Sequence, residues 1–366
     1  LKIIHIISKH SRIQGGSYTV ALNLANAMGK RGHDAIIVSQ SNEFNYVQTI
    51  RQQHCLEYVM PSILLIGSLD PSTLLPFKGF LKSVRFVRSA DIVHIHLGRE
   101  VFGMLFAGLS IAFRKRFVIQ THGMIVTDSR NIVRLLDVFI FSKMFKKAKA
   151  VLCLTENEIN RIPFKRSRFK LFPNGIEVDC GDDLQPEKVN EIIFLGRINE
   201  IKRLEKWVNF VSSLNSANQS ALPSVIYGFD GGALNQLQKE LEGDIHSKIT
   251  YAGGLIGEGQ VKAVLRSSKV LLLTSKYENF PMAVVEAMSV GTPVLIFDHF
   301  DIAPLLKRRF PEMVITEANQ TEIPSRLIYL TEKSLESGYV KSIIDFAKTQ
   351  FSIQELCNLL ETSIYG

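Results

Sequence analysis

Cysteine is scarce in this sequence: Cys55, Cys153, Cys180 and Cys357 are scattered through 366 residues. They show no metal-ligand spacing and no framework of pairs, which excludes a disulfide-stapled secreted scaffold and a zinc finger or ribbon. Cys153 lies in an apolar run and reads as packed core. So few thiols fit a reducing, cytoplasmic setting. Long uncharged runs are also missing. The longest, 101–113, falls well short of the roughly 20 residues a membrane-spanning helix needs and reads as a buried core helix. The opening Leu1-Lys2-Ile3-Ile4-His5-Ile6-Ile7 is too short for a signal peptide and reads as a buried strand. Low-complexity tracts and short repeats are absent. Gly15-Gly16 lacks the spaced third glycine of a dinucleotide fingerprint.

Apolar runs and charge fill the chain instead. Hydrophobic residues make up 46% of it and charged residues 21%, a globular composition. The net charge of +8 suits nucleic acid, a membrane surface or an acidic substrate. No nucleic-acid-binding signature accompanies it, so no nucleic-acid partner is expected. The charge is uneven. Residues 1–180 carry 25 Lys and Arg against 12 Asp and Glu, and the remainder is net acidic. Two basic stretches interleave apolar residues. One holds Leu74, Leu75, Phe77, Phe80 and Leu81 with Lys78, Lys82, Arg85 and Arg88. The other holds Phe139, Phe141, Met144 and Phe145 with Lys143, Lys146, Lys147 and Lys149. Cationic amphipathic segments of this kind lie on anionic lipid, so a peripheral place on a membrane face is an expectation. The alternative is aromatics packed inward beneath a solvated basic face.

Strand-like runs alternate with helical ones. Those of the first half are 3–7, 35–38, 92–95, 117–120 and 150–154; those of the second are 191–195, 224–227, 249–251, 270–273 and 293–296. Apolar strands separated by helices imply parallel sheets covered on both faces. Two sets of five, in a chain too long for one core, predict an α/β fold of two doubly wound domains. The aperiodic stretch 175–191 marks the join. The expected domains are 1–178 and 186–345, with residues 346–366 a terminal helical segment. Ile353, Leu356, Leu359 and Leu360 stand at helical spacing as its packing face.

The stretch 276–291 carries the most chemistry. After the apolar 270–273 comes a loop, then Pro281 at the first turn of a helix that Gly291 closes. Glu278 lies in the loop and Glu286 on the helix, beside unpaired N–H groups suited to an anion or sugar hydroxyls. Two glutamates eight apart are equally an ordinary βα unit of a parallel sheet. His94, His96 and His122 stand on or just after strands. Alternation puts His94 and His96 on one face, where two imidazoles invite a metal but no third ligand is evident. A structural reading of His94 is preferred. Asp298, His299 and Asp301 resemble a metal site but read as a solvated loop.

At Glu278, Glu286-Ala287-Met288 and Gly291-Thr292-Pro293-Val294 the sequence resembles the family-four retaining glycosyltransferases. The likeness extends to Gly15-Gly16, Arg31-Gly32-His33, 91–96, Thr121-His122-Gly123, Pro173-Asn174-Gly175-Ile176-Glu177, Gly196-Arg197 and Lys202. It implies two Rossmann-like domains facing across a cleft, the GT-B architecture. The implied activity moves a sugar from a nucleoside-diphosphate sugar to a glycan or polyprenol-linked acceptor. No metal or other cofactor is implied. The terminal helix is expected to cross back to the first domain. By residue, the resemblance implies that Arg197 and Lys202 hold the diphosphate and Glu286 the ribose. Glu278 meets the donor sugar with Asn279, Phe280 and Met282. Gly253 and Leu255 lie against the base, His122 contacts the sugar, and Gly15 and Gly16 line the cleft. Many members of that family have glycine where Arg203 stands, which leaves open which cation does more. A sugar-nucleotide epimerase of the same architecture and an inactive nucleotide-sugar-binding subunit are the competing readings.

Overall fold

A computed structural model describes residues 1–10, 16–64, 74–125, 140–162, 167–178, 188, 190–217, 222–242 and 248–366. The chain divides into two compact units, residues 1–175 with 353–366, and residues 176–352.

The first unit is built on β1 (Lys2–Ile7), β2 (Asp34–Ser41), β3 (Gln48–Arg51), β4 (Leu56–Leu64), β5 (Leu74–Pro76), β6 (Ile92–His96), β7 (Arg116–Gln120), β8 (Ala150–Cys153) and β9 (Phe169–Leu171). The order is β3-β4-β2-β1-β6-β7-β8-β9, with β5 against β4. The run from β4 to β9 is parallel; β3 and β5 pair antiparallel with β4. β3, β4, β5 and β9 escape the sequence reading. β3 alternates half-buried with exposed residues, so it offers no continuous apolar run. β4 holds Glu57 wholly buried near its start. Four groups satisfy that carboxylate: His10 Nδ1 at 2.8 Å, Tyr18 Oη at 2.8 Å, Ser39 Oγ at 3.0 Å and Gln52 Nε2 at 3.0 Å. Burial raises its pKa, but these bonds and the His10 charge outweigh that and hold it below the ordinary carboxylate range.

The helix Ile353–Leu359 and the turns to Tyr365 belong to this first unit. Ile353, Leu356, Cys357, Leu360, Ile364 and Tyr365 pack with Ile3, Leu24, Ile92, Val118, Leu152 and Phe172. Glu361 pairs with Arg31 at 2.5 Å and with His33 at 2.7 Å, and the two pull its pKa down to about 2. Leu359 departs from the expected packing face. It is 37% exposed, because the apolar side here is completed by Leu360, which is wholly buried.

The second unit holds β10 (Asn190–Leu195), β11 (Ser224–Tyr227), β12 (Ile249–Gly253), β13 (Ser268–Leu272), β14 (Val294–Phe297) and β15 (Val314–Ile315), all parallel, in the order β12-β11-β10-β13-β14-β15. The sheet centre is near-continuously apolar; Ile192, Ile193, Phe194, Val270, Leu271 and Leu295 are all below 1% exposed. Trp207, the only tryptophan, is fully buried and its indole N–H donates to Leu272 O at 3.2 Å. Among the described residues no helix is long and apolar enough to cross a membrane.

The terminal packing gives a direct test. Leu360→Ala should destabilise the protein by about 2–5 kcal/mol in urea unfolding, the range for a buried leucine. Leu359→Ala, one residue away, should cost under about 1 kcal/mol. Equal losses at both positions would contradict this placement.

Candidate active site

Parallel strands put all their carboxyl ends on one edge of a sheet, and the loops leaving that edge share a rim. In the second unit these are the segments after Leu195, Tyr227, Gly253 and Leu272. Backbone bonds zip the first two together: Gly196 N to Tyr227 O at 3.0 Å, Ile198 N to Phe229 O at 2.9 Å and Gly231 N to Ile198 O at 2.8 Å. The glycines there are demanded by approach. A Cβ on Gly228 would lie 1.8 Å from Gly196 O, and one on Gly231 would lie 2.6 Å from the Arg197 stem. Phe229 covers Gly254, where an added Cβ would come within 2.5 Å of the ring. Exposed Arg197 thus runs over the glycine turn. Gly253, in the left-handed region at φ 81°, and half-buried Leu255 flank Gly254.

Lys202 and Glu278 come together. The Lys202 ammonium contacts Glu278 Oε1, and Ser275 Oγ donates to the same oxygen at 2.7 Å. Asn279 and Met282 are half-buried, and Phe280 is buried edge-on against Phe351 at 5.8 Å. The helix Met282–Ser289 begins without a side-chain cap. Glu286 lies half-buried on that helix. Burial pushes its carboxyl up to about 7; the Glu258 charge adds to the rise and Lys262 opposes it. Glu258 and Lys262 are themselves paired at 2.8 Å.

Arg203 has a different place from the other cations. Its backbone is left-handed at φ 48°, a conformation glycine adopts without cost. Its guanidinium donates to Thr274 O at 3.0 Å and Ser275 O at 3.1 Å, and pairs with Glu317 at 2.9 Å. Thr274 Oγ1 donates back to Lys202 O at 3.0 Å, and Lys276 N to Ile201 O at 2.7 Å. Arg203 therefore fastens the loop bearing Glu278 to the turn bearing Lys202. In the 298–301 segment Asp298 and His299 are exposed, as a solvated loop requires, but the segment is also tied to the Glu278 loop. His299 Nε2 lies 3.0 Å from Ser275 O, and Asp301, buried, donates its N–H to Glu278 O at 3.0 Å.

In the first unit, His122 follows β7 in a left-handed turn, φ 49° at His122 and 73° at Gly123. Sequence reasoning missed what holds it: Glu158, 1% exposed, on the short helix Glu156–Arg161. Its carboxylate accepts from Thr121 Oγ1, from Gly123 N at 2.7 Å and from Leu154 N at 2.6 Å. A glutamate three residues after Thr155, which caps that helix, resembles an ordinary capping pattern, so its sequence signal points elsewhere. Gly16 opens the helix Gly16–Lys30 and is exposed; Gly15 lies outside the described residues.

The third imidazole that sequence could not supply is His5, on β1 in register with His94. His5, His94 and His96 bring ring nitrogens within 4.8 Å of one another. The rings are stacked, His94 on His96 at 4.6 Å and 1°. Lone pairs of parallel rings do not converge on one ion, and both nitrogens of His96 face other imidazoles. The arrangement is a hydrogen-bonded stack and does not fit a metal. His94 Nδ1 meets Tyr365 Oη at 2.6 Å, a structural contact.

A Rossmann-like sheet in each unit, with cations and carboxylates on the carboxyl rim of the second, defines a glycosyltransferase of the GT-B type. The chain belongs to the family-four glycosyltransferases: the profile described as "Glycosyltransferase Family 4" matches residues 14–179 and that described as "Glycosyl transferases group 1" matches residues 180–348. It is 23% identical over 321 residues to EpsF of Bacillus subtilis, whose name assigns it provisionally as a glycosyltransferase, across 81% of this chain and 79% of that one. It is 24% identical over 336 residues to the GDP-mannose:cellobiosyl-diphosphopolyprenol alpha-mannosyltransferase of Xanthomonas campestris, across 89% and 84%. Among solved structures, HepE of Anabaena in complex with UDP superposes with a TM-score of 0.73 at 14% identity, covering 100% of this chain and 99% of that one.

The raised Glu286 pKa has a thermodynamic signature. The folded state keeps this proton between about pH 4.5 and pH 7 while the unfolded chain releases it, so wild-type stability falls as pH rises through that window. Glu286→Gln has no such proton. Its stability relative to wild type should grow from pH 4.5 to 7 and then level, by up to a few kcal/mol at about 1.4 kcal/mol per pH unit of displaced titration. Thermal unfolding of both proteins across this range checks it; a constant difference would place Glu286 in water.

Proposed function

We propose that this protein is a retaining hexosyltransferase that moves a sugar from a nucleoside-diphosphate sugar to a glycan or polyprenol-diphosphate-linked acceptor in cell-envelope polysaccharide synthesis. The observation that carries the reading is the Lys202–Glu278 contact on the same rim as Arg197. An ammonium and a guanidinium on one rim suit a diphosphate, whose charge grows as the glycosidic bond breaks. A carboxylate one contact away suits the hydroxyls of the attached sugar. Glu286 takes the ribose hydroxyls, Gly253 and Leu255 the base, and the N–H groups of Phe280 and Met282 the sugar, Pro281 having none. Asn279 borders the same sugar. The relative of Xanthomonas is named for a polyprenol-diphosphate acceptor and the Anabaena structure holds UDP, which support donor and acceptor classes of this kind. On this reading the acceptor attacks from the face the diphosphate leaves. The two glutamates are then not a glycosidase pair, and no metal takes part.

The test is release of nucleotide from single UDP-, GDP- and ADP-sugars with a polyprenol-linked acceptor. Arg197→Ala should lower kcat by about 10²–10³-fold, as for other electrostatic donors to a transition state. Chelator treatment should leave turnover unchanged. An altered free sugar without transfer would favour an epimerase, and binding without turnover an inactive subunit. Wild-type rates in Arg197→Ala would remove the diphosphate role.

The acceptor class also bears on the basic first unit. Phe141, Met144 and Phe145 are buried in its core beneath Lys143, Lys146 and Lys147, so among the described residues that stretch offers lipid no aromatic face; Phe139 lies outside them. The other stretch differs. Leu81 is 77% exposed and Phe77 is 44% exposed, beside exposed Lys78, Lys82, Arg85 and Arg88, although Leu74 is buried. On our reading this face, at the helix Phe80–Ser89, rests on anionic lipid. Sedimentation with vesicles containing phosphatidylglycerol should show binding that weakens with salt and is lost when Lys78, Lys82, Arg85 and Arg88 become Glu. Equal, negligible binding to neutral and anionic vesicles would overturn it.

A further inference from the structure

The carboxyl edge of the first sheet carries a second polar centre, apart from His122, that the transferase reading does not use. β1 sits where the strand order reverses, with β2 and β4 on one side and β6 to β9 on the other. Doubly wound sheets bind their ligands outside the carboxyl ends of the strands at such a point. The segment that leaves β1 there, residues 8–10, is pinned from three directions. Ser8 Oγ donates to Glu100, which follows β6. The His10 N–H donates to Gln40 O of β2 at 2.8 Å. The His10 ring meets Glu57 of β4 through Nδ1, also at 2.8 Å.

Glu57 decides what that ring can do. Burial alone would raise its pKa, but its hydrogen bonds and the His10 charge hold it below the ordinary carboxylate range, so it is ionised at neutral pH. An ionised carboxylate only accepts. His10 therefore carries a proton on Nδ1, and the neutral ring has its lone pair on Nε2. Tyr18, edge-on at 5.2 Å and 78°, flanks the ring. Among the described residues nothing bonds Nε2, and it is not one of the fully buried unpaired ring nitrogens, as His5 Nε2, His94 Nε2 and His122 Nδ1 are. The His10 side chain is 11% exposed, that of Glu57 0%. The ring is thus closed on its carboxylate side and open on the other. Tyr18, Ser39 and Gln52 already supply the carboxylate with three donors. What His10 adds is an oriented imidazole with a negative charge behind it, the arrangement in which a base is held by a third group.

We propose that His10 is the general base of the transfer, its Nε2 taking the proton of the attacking acceptor hydroxyl, and that Glu57 is the positioning residue behind it. The inference rests on the transferase reading. As the hydroxyl oxygen bonds to the anomeric carbon, its proton passes to Nε2. The bond from that carbon to the diphosphate oxygen breaks, and its electron pair leaves with the nucleoside diphosphate. The imidazolium so formed lies against the Glu57 carboxylate, which stabilises its charge, and it returns the proton to water once the product has left.

The experiment measures kcat and donor KM of the full chain with UDP-glucose or GDP-mannose and a polyprenol-diphosphate-linked glycan. His10→Ala should lower kcat by about 10²–10⁴-fold with the donor KM unchanged, the loss of a general base. Imidazole added to this variant should restore part of the rate. Glu57→Gln should also lower kcat at an unchanged donor KM, without rescue by imidazole, because His10 still fills the place. Diethylpyrocarbonate on the wild type, mapped by peptide mass spectrometry, gives a readout that needs no variant to fold. His10 should be carbethoxylated while the wholly buried His5, His94 and His96 are not. Transfer should fall in step with the His10 label and return with hydroxylamine. An unlabelled His10 overturns the proposal. So does a wild type that transfers sugar beside a His10→Ala variant of equal kcat; the proton then goes elsewhere, and the transferase reading stands. A wild type that labels at His10 but transfers no sugar to any acceptor removes the transferase reading, and the base with it.

Discussion

The guanidinium of Arg203 is the interaction on which the chemistry-bearing rim of the second unit depends. Two neighbouring carbonyls, Thr274 O and Ser275 O, are taken up by one planar fork, and Thr274 and Lys276 bond back to the 201–203 turn. Without that fork the loops after β10 and β13 keep only the bonds from Thr274 and Lys276 to the turn and the Lys202–Glu278 contact. With it, an ammonium and a carboxylate approach each other from strands that leave the sheet at different places. A lysine in this position has a single point of charge and no planar pair of donors. The left-handed backbone at Arg203 is the conformational cost of placing the fork there, offset by the carbonyl bonds and the ion pair to Glu317.

The first unit solves a similar problem with buried acids. Glu57 gathers His10, Tyr18, Ser39 and Gln52 at one end of the sheet, and Glu158 gathers Thr121, Gly123 and Leu154 at another. Each carboxylate satisfies several donors that would otherwise be buried unpaired, and each steadies a segment leaving a strand's carboxyl end. Glu158 is held above the ordinary carboxylate range by burial, against the pull of those bonds, whereas Glu57 is held below it. The difference follows from His10, which both hydrogen-bonds Glu57 and can carry a positive charge beside it, whereas Glu158 has only the charge of Arg161.

How much of this was legible in the sequence depended on whether the signal was periodic, local or pairwise. The central parallel strands were legible because both faces are buried and the run is apolar throughout, as in 92–95 and 270–273. β4 was not, because Glu57 interrupts it and its partners lie on four other segments. The pairing of His94 and His96 on one face followed from alternation; the stack through His5 and His122 needed the register of three strands. Arg203 read as one more cation near a phosphate. Its role is visible only once the carbonyls of residues 274 and 275 are seen under it. The basic stretch at 143–149 shows the converse failure. Its composition matches a lipid-facing helix, yet Phe141, Met144 and Phe145 turn into the core, and composition carries no information about which way a ring points.

The terminal segment that completes the first unit has a consequence for the order in which this protein is made. Residues 353–366 supply Tyr365, which bonds His94, and the apolar side chains that cover Ile3, Ile92 and Phe172. A ribosome delivers residues 1–175 first, then the whole of 176–352, and only then that cover. At about 5–20 residues per second the interval is roughly 10–35 s. Through that interval the nascent first unit presents an uncovered apolar sheet face, while the second unit, contiguous in the chain, has everything it needs to fold. The first unit, although its strands come earlier in the chain, thus completes its core only after the second has been made.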